Sequence, residues 1–281
     1  MDVSIGLPNT VPGTSGEQLV EWAKRAEGRG FTSLGTIDRL VYQNFEPLTA
    51  LTAAAAVTER IGLVTNVLLG PLRANAAVLA KQALSVHALS GERLTLGIGL
   101  GGRDDDFEFA GIPLGHRGEE LDAMLARMKE AWASEEMGPR TDSPPTLVVG
   151  GAVDASFERA AKFGDGWIAG GASSEEFAGM AAKARDAWAT AGRDGEPRLM
   201  GLAYFSLGDD AEADANGYLT DYYAWLGAEV AGYIAGSAAK DGETVKGYLA
   251  GFERAGCDEL ILCPCASDPG QVDLLADAAG L

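Results

Sequence analysis

Short apolar runs alternate with longer segments of helical period along the chain. The first run, Val3 to Leu7, precedes a segment in which Leu19, Trp22, Ala23 and Ala26 recur at three- and four-residue steps. Such steps place apolar side chains on one helix face, whereas an uninterrupted apolar run is typical of a strand that is buried on both sides. The pattern therefore predicts a strand followed by an amphipathic helix, and the same order recurs along the chain.

Eight strands follow from this pattern, in residues 3–7, 31–38, 61–70, 93–102, 145–151, 165–171, 198–208 and 259–265. Helices are predicted in residues 17–30, 47–60, 75–91, 117–132, 155–164 and 173–192, from Glu212 to about Gly256, and at the C-terminus. The acidic stretch after Arg103 is predicted to be a loop.

Eight buried strands separated by helices favour an α/β fold, a (β/α)8 TIM barrel, that occupies residues 1–281 as a single domain. The competing architecture is an open doubly wound sheet, which the glycine-rich Gly97–Gly102 would suit. That motif should open into a helix whose N-terminus holds a pyrophosphate, yet Arg103 and three aspartates follow it. The glycines of Gly97–Gly102 are therefore better explained as part of a barrel strand.

Charge and composition narrow the classes of function. Acidic residues outnumber basic ones by 41 to 22, which gives a formal charge of −19 and argues against nucleic acid or an anionic membrane as a partner. The N-terminus has no basic flank followed by a long apolar run, so a cytoplasmic location is expected. With His87 and His116 as the only histidines, no metal site is predicted, and Cys257, Cys263 and Cys265 are expected to be buried structural thiols.

Candidate chemistry lies at the ends of the predicted strands, where a barrel of this kind carries its working residues. Asp38 and Arg39 follow one strand, and Thr65 and Asn66 interrupt the next. Two strands end in glycine pairs, Gly150–Gly151 and Gly170–Gly171, which suit either a phosphate cradle or tight turns. No hydrolytic motif is present, so a cofactor is expected to supply the chemistry.

Several motifs together resemble the bacterial luciferase-like oxidoreductases, which use FMN or the deazaflavin F420. The matching segments are residues 6–39, 55–102, 109–122 and 145–171, and ALSGERLTLGIGLGG followed by FAG and Arg117 is the most specific of them. The resemblance implies a luciferase-like TIM barrel that holds the cofactor ring at the carboxyl ends of the strands. It also implies a non-prolyl cis peptide at Asn66–Val67, with Thr65, Asn66 and Val67 near the ring.

The resemblance assigns further positions one by one. Asp38 falls where the family has an acidic residue near the ring, and Gly150, Gly151 and Ala152 fall on the loop that cradles the cofactor phosphate. Gly170, Gly171 and Ser173 are a second candidate cradle, although Ser173 also suits a helix N-cap. Arg39 replaces a frequent histidine and is expected to act electrostatically, and Asp38 and Arg39 are the candidate catalytic residues. Leu100 replaces an arginine of the luciferases, for which Arg103 or Arg73 is the candidate substitute.

Three functions remain open at this stage. The leading hypothesis is an FMN-dependent monooxygenase that receives reduced FMN from a separate flavin reductase and oxygenates a small organic substrate. The first alternative is an F420-dependent hydride-transferring oxidoreductase, although the anionic tail of F420 suits a chain of charge −19 poorly. The second alternative is a flavin-binding barrel without turnover. The resemblance also implies a homodimer, because family members commonly dimerise through early helices. The tyrosines between residues 218 and 233 are expected to serve helix packing or to form a substrate wall.

Overall fold

A computed structural model describes residues 1–281 as a closed barrel of parallel strands with helices between them. The strands are β1 (Asp2–Gly6), β2 (Ser33–Thr36), β3 (Gly62–Thr65), β4 (Leu68–Leu69), β5 (Leu94–Gly99), β6 (Thr146–Gly150), β7 (Gly166–Gly171), β8 (Arg198–Phe205) and β9 (Glu259–Pro264). Strand β1 pairs with both β2 and β9, which closes the sheet. Strands β3 and β4 both pair with β5, and together they form one strand of the barrel that is interrupted at Asn66–Val67. With β3 and β4 counted as one strand, the barrel has the eight strands that the sequence predicts.

Helices connect the strands throughout the chain. They are α1 (Gly16–Arg29), α2 (Pro47–Ala55), α3 (Ala76–Leu89), α4 (Asp104–Ala110), α5 (Arg117–Ala133), α6 (Asp154–Phe163), α7 (Ser174–Thr190), α8 (Ala211–Tyr222), α9 (Ala228–Gly236), α10 (Gly242–Arg254) and α11 (Gly270–Ala279). Two short 3-10 helices cover Gly70–Leu72 and Ala224–Leu226. The predicted alternation of strand and helix is thus confirmed.

Two predicted elements differ from the structure. The acidic stretch is the short helix α4 rather than a loop, because Asp106 and Phe107 are buried and anchor it while Asp104 and Asp105 face outward. The single long helix predicted from Glu212 to about Gly256 is three helices. It breaks at Gly227, whose φ of 88° a helix does not accommodate, and α10 begins anew at the N-cap Asp241.

The core has two parts that follow from the pattern of the strands. Alternate side chains point outward against the helices, where Trp22 and Trp167 are fully enclosed. The remaining side chains fill the barrel interior, among them Val148, Met200 and Ile261. The same interior cluster includes tyrosines of β8 and α8 at the carboxyl end of the barrel. The barrel interior is therefore a packed core, and aromatic rings cover its carboxyl end.

The amino end of the barrel is closed by a buried polar cluster. The Glu259 carboxylate accepts hydrogen bonds from the Ser4 hydroxyl at 2.6 Å and from the Ser33 hydroxyl, and Arg198 Nη2 lies 2.6 Å from its other oxygen. Every partner lies on a strand near this end. Because both oxygens of the buried Glu259 carboxylate have partners, the cluster stabilises the end opposite to the predicted site.

The three cysteines are buried and free, as predicted. Burial raises the pKa of Cys257 and of Cys263 to about 12, so neither thiol is a ready nucleophile. No helix of the structure has both the length and the apolar character that crossing a bilayer requires.

Candidate functional site

The interruption between β3 and β4 lies at the carboxyl end of the barrel and contains a cis peptide at Asn66–Val67. Its surroundings are made of glycines. A Cβ atom on either Gly99 or Gly150 would lie 2.8 Å from the Val67 side chain, and one on Gly35 would lie 2.5 Å from Asn66 Oδ1. Such separations are shorter than carbon contacts allow, so the glycines leave the room that Asn66 and Val67 occupy.

Asn66 carries an unused hydrogen-bond acceptor. Its Nδ2 donates to Cys263 Sγ over 3.5 Å, whereas its Oδ1 is buried and has no partner in the chain. Thr65, which precedes it, donates its hydroxyl to the Gly97 carbonyl at 2.6 Å and is thereby satisfied. Buried acceptors in proteins are nearly always bonded, so Asn66 Oδ1 marks a place for a ligand N–H or O–H or for a water.

Asp38 faces the same region and is held by Arg73. Its Oδ2 accepts from the Leu69 N–H at 2.8 Å and from Arg73 Nη2 at 2.6 Å, and Arg73 also contacts Glu46. Burial raises the pKa of Asp38, while the Arg73 guanidinium and the Leu69 N–H oppose that increase. Asp38 thus fixes the β4 backbone beside the interruption.

Arg39 is buried in a network with α4. Its Nε and Nη2 lie 2.8 Å from Asp106 Oδ2 and 2.7 Å from Asp105 Oδ2. Asp106 Oδ1 also accepts the N–H groups of Leu40 and Val41 at 2.9 and 2.7 Å. The charge of Arg39 is therefore matched by two carboxylates, and the network ties the loop after β2 to α4.

Tyrosines cover the carboxyl end of the barrel. Tyr218 and Tyr222 of α8 and Tyr204 of β8 belong to the interior cluster, and Tyr223 packs against it. The Tyr222 ring is 5.4 Å from that of Tyr218 and 5.3 Å from that of Tyr42. Tyr42 in turn donates its hydroxyl to Asp221 at 2.6 Å, beside a surface cleft of about 470 Å³. These contacts link the loop after β2 to α8 across the barrel end.

Two arginines near this end have no carboxylate within ion-pair distance. Arg103 donates Nη1 to the Tyr222 carbonyl at 2.6 Å, and its guanidinium carbon lies 4.2 Å from the centre of the Tyr222 ring. Arg117, the first residue of α5, donates Nη1 to the Gly101 carbonyl at 3.0 Å. Since Arg39 and Arg73 are each paired with two acidic groups, Arg103 and Arg117 carry the positive charge that is free here.

The two predicted glycine cradles differ in their surroundings. Gly151 has a φ of 143° and accepts Trp167 Nε1–H at its carbonyl over 2.7 Å, so the loop to Ala152 and α6 has a fixed backbone that favours glycine. Gly170 and Gly171 are exposed, and nothing would obstruct a side chain at either position. Ser173 serves as the N-cap of α7, with its hydroxyl and N–H bonded to Glu176.

The residues present fit a cofactor with a flat ring and a phosphate. Val67 and the unpaired Asn66 Oδ1 supply an apolar contact and an acceptor beside the strand interruption. The start of α5 is tied to α6, because Arg159 of α6 donates to the Gly118 carbonyl at 3.2 Å. The N–H groups of the Gly150–Ala152 loop and the free guanidinium of Arg117 are groups of the kind that bind a phosphate.

Sequence reasoning missed the covering of the barrel end and the partners of its charged residues. Tyr42, Asp106 and Asp221 were not singled out, and Arg117 was noted only as part of a motif. The spacing of Tyr218 and Tyr222, four residues apart on one helix, was the available signal for a shared face. The other contacts join distant segments, which local patterns do not reveal.

Comparison of the sequence with known proteins places these features in context. A family model described as luciferase-like monooxygenase matches residues 1–256. An uncharacterized protein of Mycobacterium tuberculosis is 32% identical over 176 residues, which are 57% of this chain and 62% of the relative. An F420-dependent glucose-6-phosphate dehydrogenase of Amycolatopsis mediterranei is 27% identical over 175 residues, 53% of this chain and 52% of that protein. The chain thus aligns with less than two thirds of the length of these relatives.

Solved structures share the fold across the whole chain. The monooxygenase RslO1 from Streptomyces bottropensis superposes with a TM-score of 0.82 at 22% identity, covering 99% of this chain and 98% of that one. An F420-dependent secondary alcohol dehydrogenase, solved with an F420–acetone adduct, gives 0.83 at 18% identity with the same coverage. The oxygenating constituent of 3,6-diketocamphane monooxygenase from Pseudomonas putida, solved with FMN, gives 0.71 at 18% and covers 98% and 96%. Proteins of this fold thus include both FMN and F420 binders.

Proposed function

Because the chain belongs to the luciferase-like monooxygenase family, we propose that it is a monooxygenase that binds reduced FMN from a separate flavin reductase and oxygenates a small organic substrate. The observation that carries this proposal is the distribution of charge at the carboxyl end of the barrel. Arg39 and Arg73 are neutralised by acidic partners, which leaves Arg103 and Arg117. One such free guanidinium, acting with the N–H groups of the Gly150–Ala152 loop, would suit the single phosphate of FMN.

In this proposal the chain's residues bind and orient the cofactor, which supplies the oxygen-activating chemistry when it is bound and reduced. Val67 supports one face of the ring, and Asn66 Oδ1 accepts a hydrogen bond from it. Arg117 and the N–H groups of Gly151 and Ala152 hold the phosphate. Asp38 and Arg39 act indirectly, since they position the backbone at Leu69 and at Leu40–Val41. The tyrosines exclude water from the barrel end.

An F420-dependent hydride transfer is the second candidate. It is favoured by the relative that is named an F420-dependent dehydrogenase and by the likeness to the F420-dependent alcohol dehydrogenase. Against it stands the charge of the site, because the oligoglutamate tail of F420 brings several carboxylates to a surface with few free cations. Arg39 and Arg73 already have four acidic partners between them, two for each guanidinium.

Titration of the purified protein with oxidised and reduced FMN and F420, followed by calorimetry, tests the choice. We expect reduced FMN to bind most tightly. Substituting Arg117→Gln should weaken FMN at least about tenfold, because a charge-assisted contact to phosphate is lost. The affinity for riboflavin, which has the ring without the phosphate, should not change in this variant.

The matched control is Arg127→Gln, which removes an exposed arginine of the same helix. Tighter binding of F420 than of reduced FMN would refute the monooxygenase assignment and leave hydride transfer as the function to test. Equal losses of FMN and riboflavin affinity in Arg117→Gln would mean that Arg117 does not act on the phosphate.

A further inference from the structure

Arg103 lies in a cage of aromatic rings rather than against an acidic group. Its guanidinium carbon is 4.2 Å from the ring centre of Tyr222, 5.6 Å from that of Tyr223 and 5.1 Å from that of Trp225. These separations are within the range of cation–π attraction. Three rings thus hold the charged group without cancelling its charge.

The cage leaves part of the guanidinium available. Arg103 is only 9% exposed, and its one hydrogen bond within the chain runs from Nη1 to the Tyr222 carbonyl. Its other nitrogens have no partner, yet none of them is fully enclosed. The unpaired N–H groups of Arg103 therefore keep some exposure and remain available as donors to a carboxylate.

Acidic residues near Arg103 are directed elsewhere. Asp105 and Asp106, two and three residues further along the chain, both pair with Arg39. In a chain of charge −19, a nearly buried arginine without a carboxylate partner is unusual. The arrangement keeps one cation free while Asp105 and Asp106 are engaged with Arg39, and the adjacent Asp104 is exposed.

Arg103 and Arg117 contact different elements. Arg103 contacts α8 and the 3-10 helix after it, whereas Arg117, the first residue of α5, donates to the Gly101 carbonyl. Trp225, which flanks Arg103, is 48% exposed. A flat ligand could stack on Trp225 while its anionic group meets Arg103.

We propose that Arg103 and Trp225 form a substrate-recognition site for an aromatic carboxylate at the rim of the barrel. The proposal rests on the proposed function, since it names the substrate class for that same enzyme, and it assigns Arg103 to the substrate rather than to the cofactor. The negative group of the substrate would pair with the unpaired N–H groups of Arg103, and its ring would lie against Trp225. Neutral analogues of the same shape would gain the stacking contact alone.

Calorimetric titration with 2-naphthoate and its neutral counterpart 2-naphthamide tests the proposal on the whole protein. We expect Arg103→Gln to weaken naphthoate at least about tenfold, and to leave naphthamide within about twofold. The exposed position of Trp225 makes Trp225→Ala a second variant that is expected to fold, and it should weaken both compounds. Arg127→Gln serves as the control and should bind both compounds as the parent does.

Competition with FMN separates this proposal from the proposed function. We expect naphthoate to bind equally well with saturating FMN present, and Arg103→Gln to keep its affinity for FMN. Loss of FMN affinity in Arg103→Gln would overturn the proposal and place Arg103 at the cofactor phosphate. Failure of the parent protein to bind naphthoate, or unchanged naphthoate affinity in both variants, would also overturn it, whatever the cofactor titration shows.

Discussion

At the scale of single residues, the charged groups at the barrel end act mainly through the partners they hold. Asp38 and Arg39 were predicted to be catalytic from their place after β2. In the structure Asp38 bonds to Arg73 and the Leu69 N–H, and Arg39 bonds to Asp105 and Asp106. An arginine with two carboxylate partners presents little net charge to a ligand. The residues that remain free, Asn66, Arg103 and Arg117, are the better candidates for direct contact.

Asp106 is the residue on which this arrangement depends most. It is fully buried and accepts three hydrogen bonds, from Arg39 Nε and from two backbone N–H groups. Replacing it with alanine leaves buried donors unsatisfied, so we expect Asp106→Ala to lower the free energy of unfolding by about 3 kcal/mol. Urea unfolding measures the change.

Asp104 is the matched control for that substitution, because it is exposed in the first turn of the same helix. Asp104→Ala should change the free energy of unfolding by less than about 0.5 kcal/mol. A loss of similar size in both variants would mean that the effect belongs to α4 and not to the Asp106 network.

At the scale of elements, helix ends decide which predicted site residues are already engaged. Ser173 was predicted both as a phosphate ligand and as an N-cap, and in the structure it forms a capping box with Glu176. We expect Ser173→Ala to lower the free energy of unfolding by about 1 kcal/mol, the usual effect of losing an N-cap. Thermal unfolding followed by circular dichroism, together with FMN titration, provides the measurement.

A second substitution distinguishes the two roles of Ser173. Aspartate is as good an N-cap as serine, so Ser173→Asp should keep the stability of α7. Its negative charge would repel a phosphate held at this helix end. Unchanged FMN affinity in Ser173→Asp would therefore place the phosphate elsewhere, whereas a clear loss would support the second predicted cradle at Gly170–Ser173.

At the scale of the whole molecule, the fold could be predicted from the sequence and the covering of its site could not. Strand and helix patterns are local, and eight repeats of them leave few closures other than a barrel. The bonds that cover the barrel end join residues far apart in the chain, 179 positions for Tyr42 and Asp221 and 119 for Arg103 and Tyr222. Nothing in the local sequence near Arg103 indicates that its partners are aromatic.

The same covering determines how the whole protein responds to alkaline pH. Burial raises the pKa of Tyr204, Tyr218, Tyr222 and Tyr223 above the ordinary value, and it raises that of Cys263 to about 12. In the unfolded chain these groups lose their protons near their ordinary pKa values, about 8.5 for thiols and about 10 for phenols. The folded state keeps the protons, so the stability they contribute is fully present below about pH 8.5 and is lost as the pH rises.

We therefore expect the free energy of unfolding to be nearly constant from pH 7 to about 8.5 and to fall steeply above about pH 10. Each such group adds a slope of up to about 1.4 kcal/mol per pH unit once its unfolded form is ionised. Urea unfolding at a series of pH values measures the slope. Tyr204→Phe removes one of these groups and should reduce the slope by up to about 1.4 kcal/mol per pH unit. A slope that is the same in Tyr204→Phe would contradict the buried tyrosine cover.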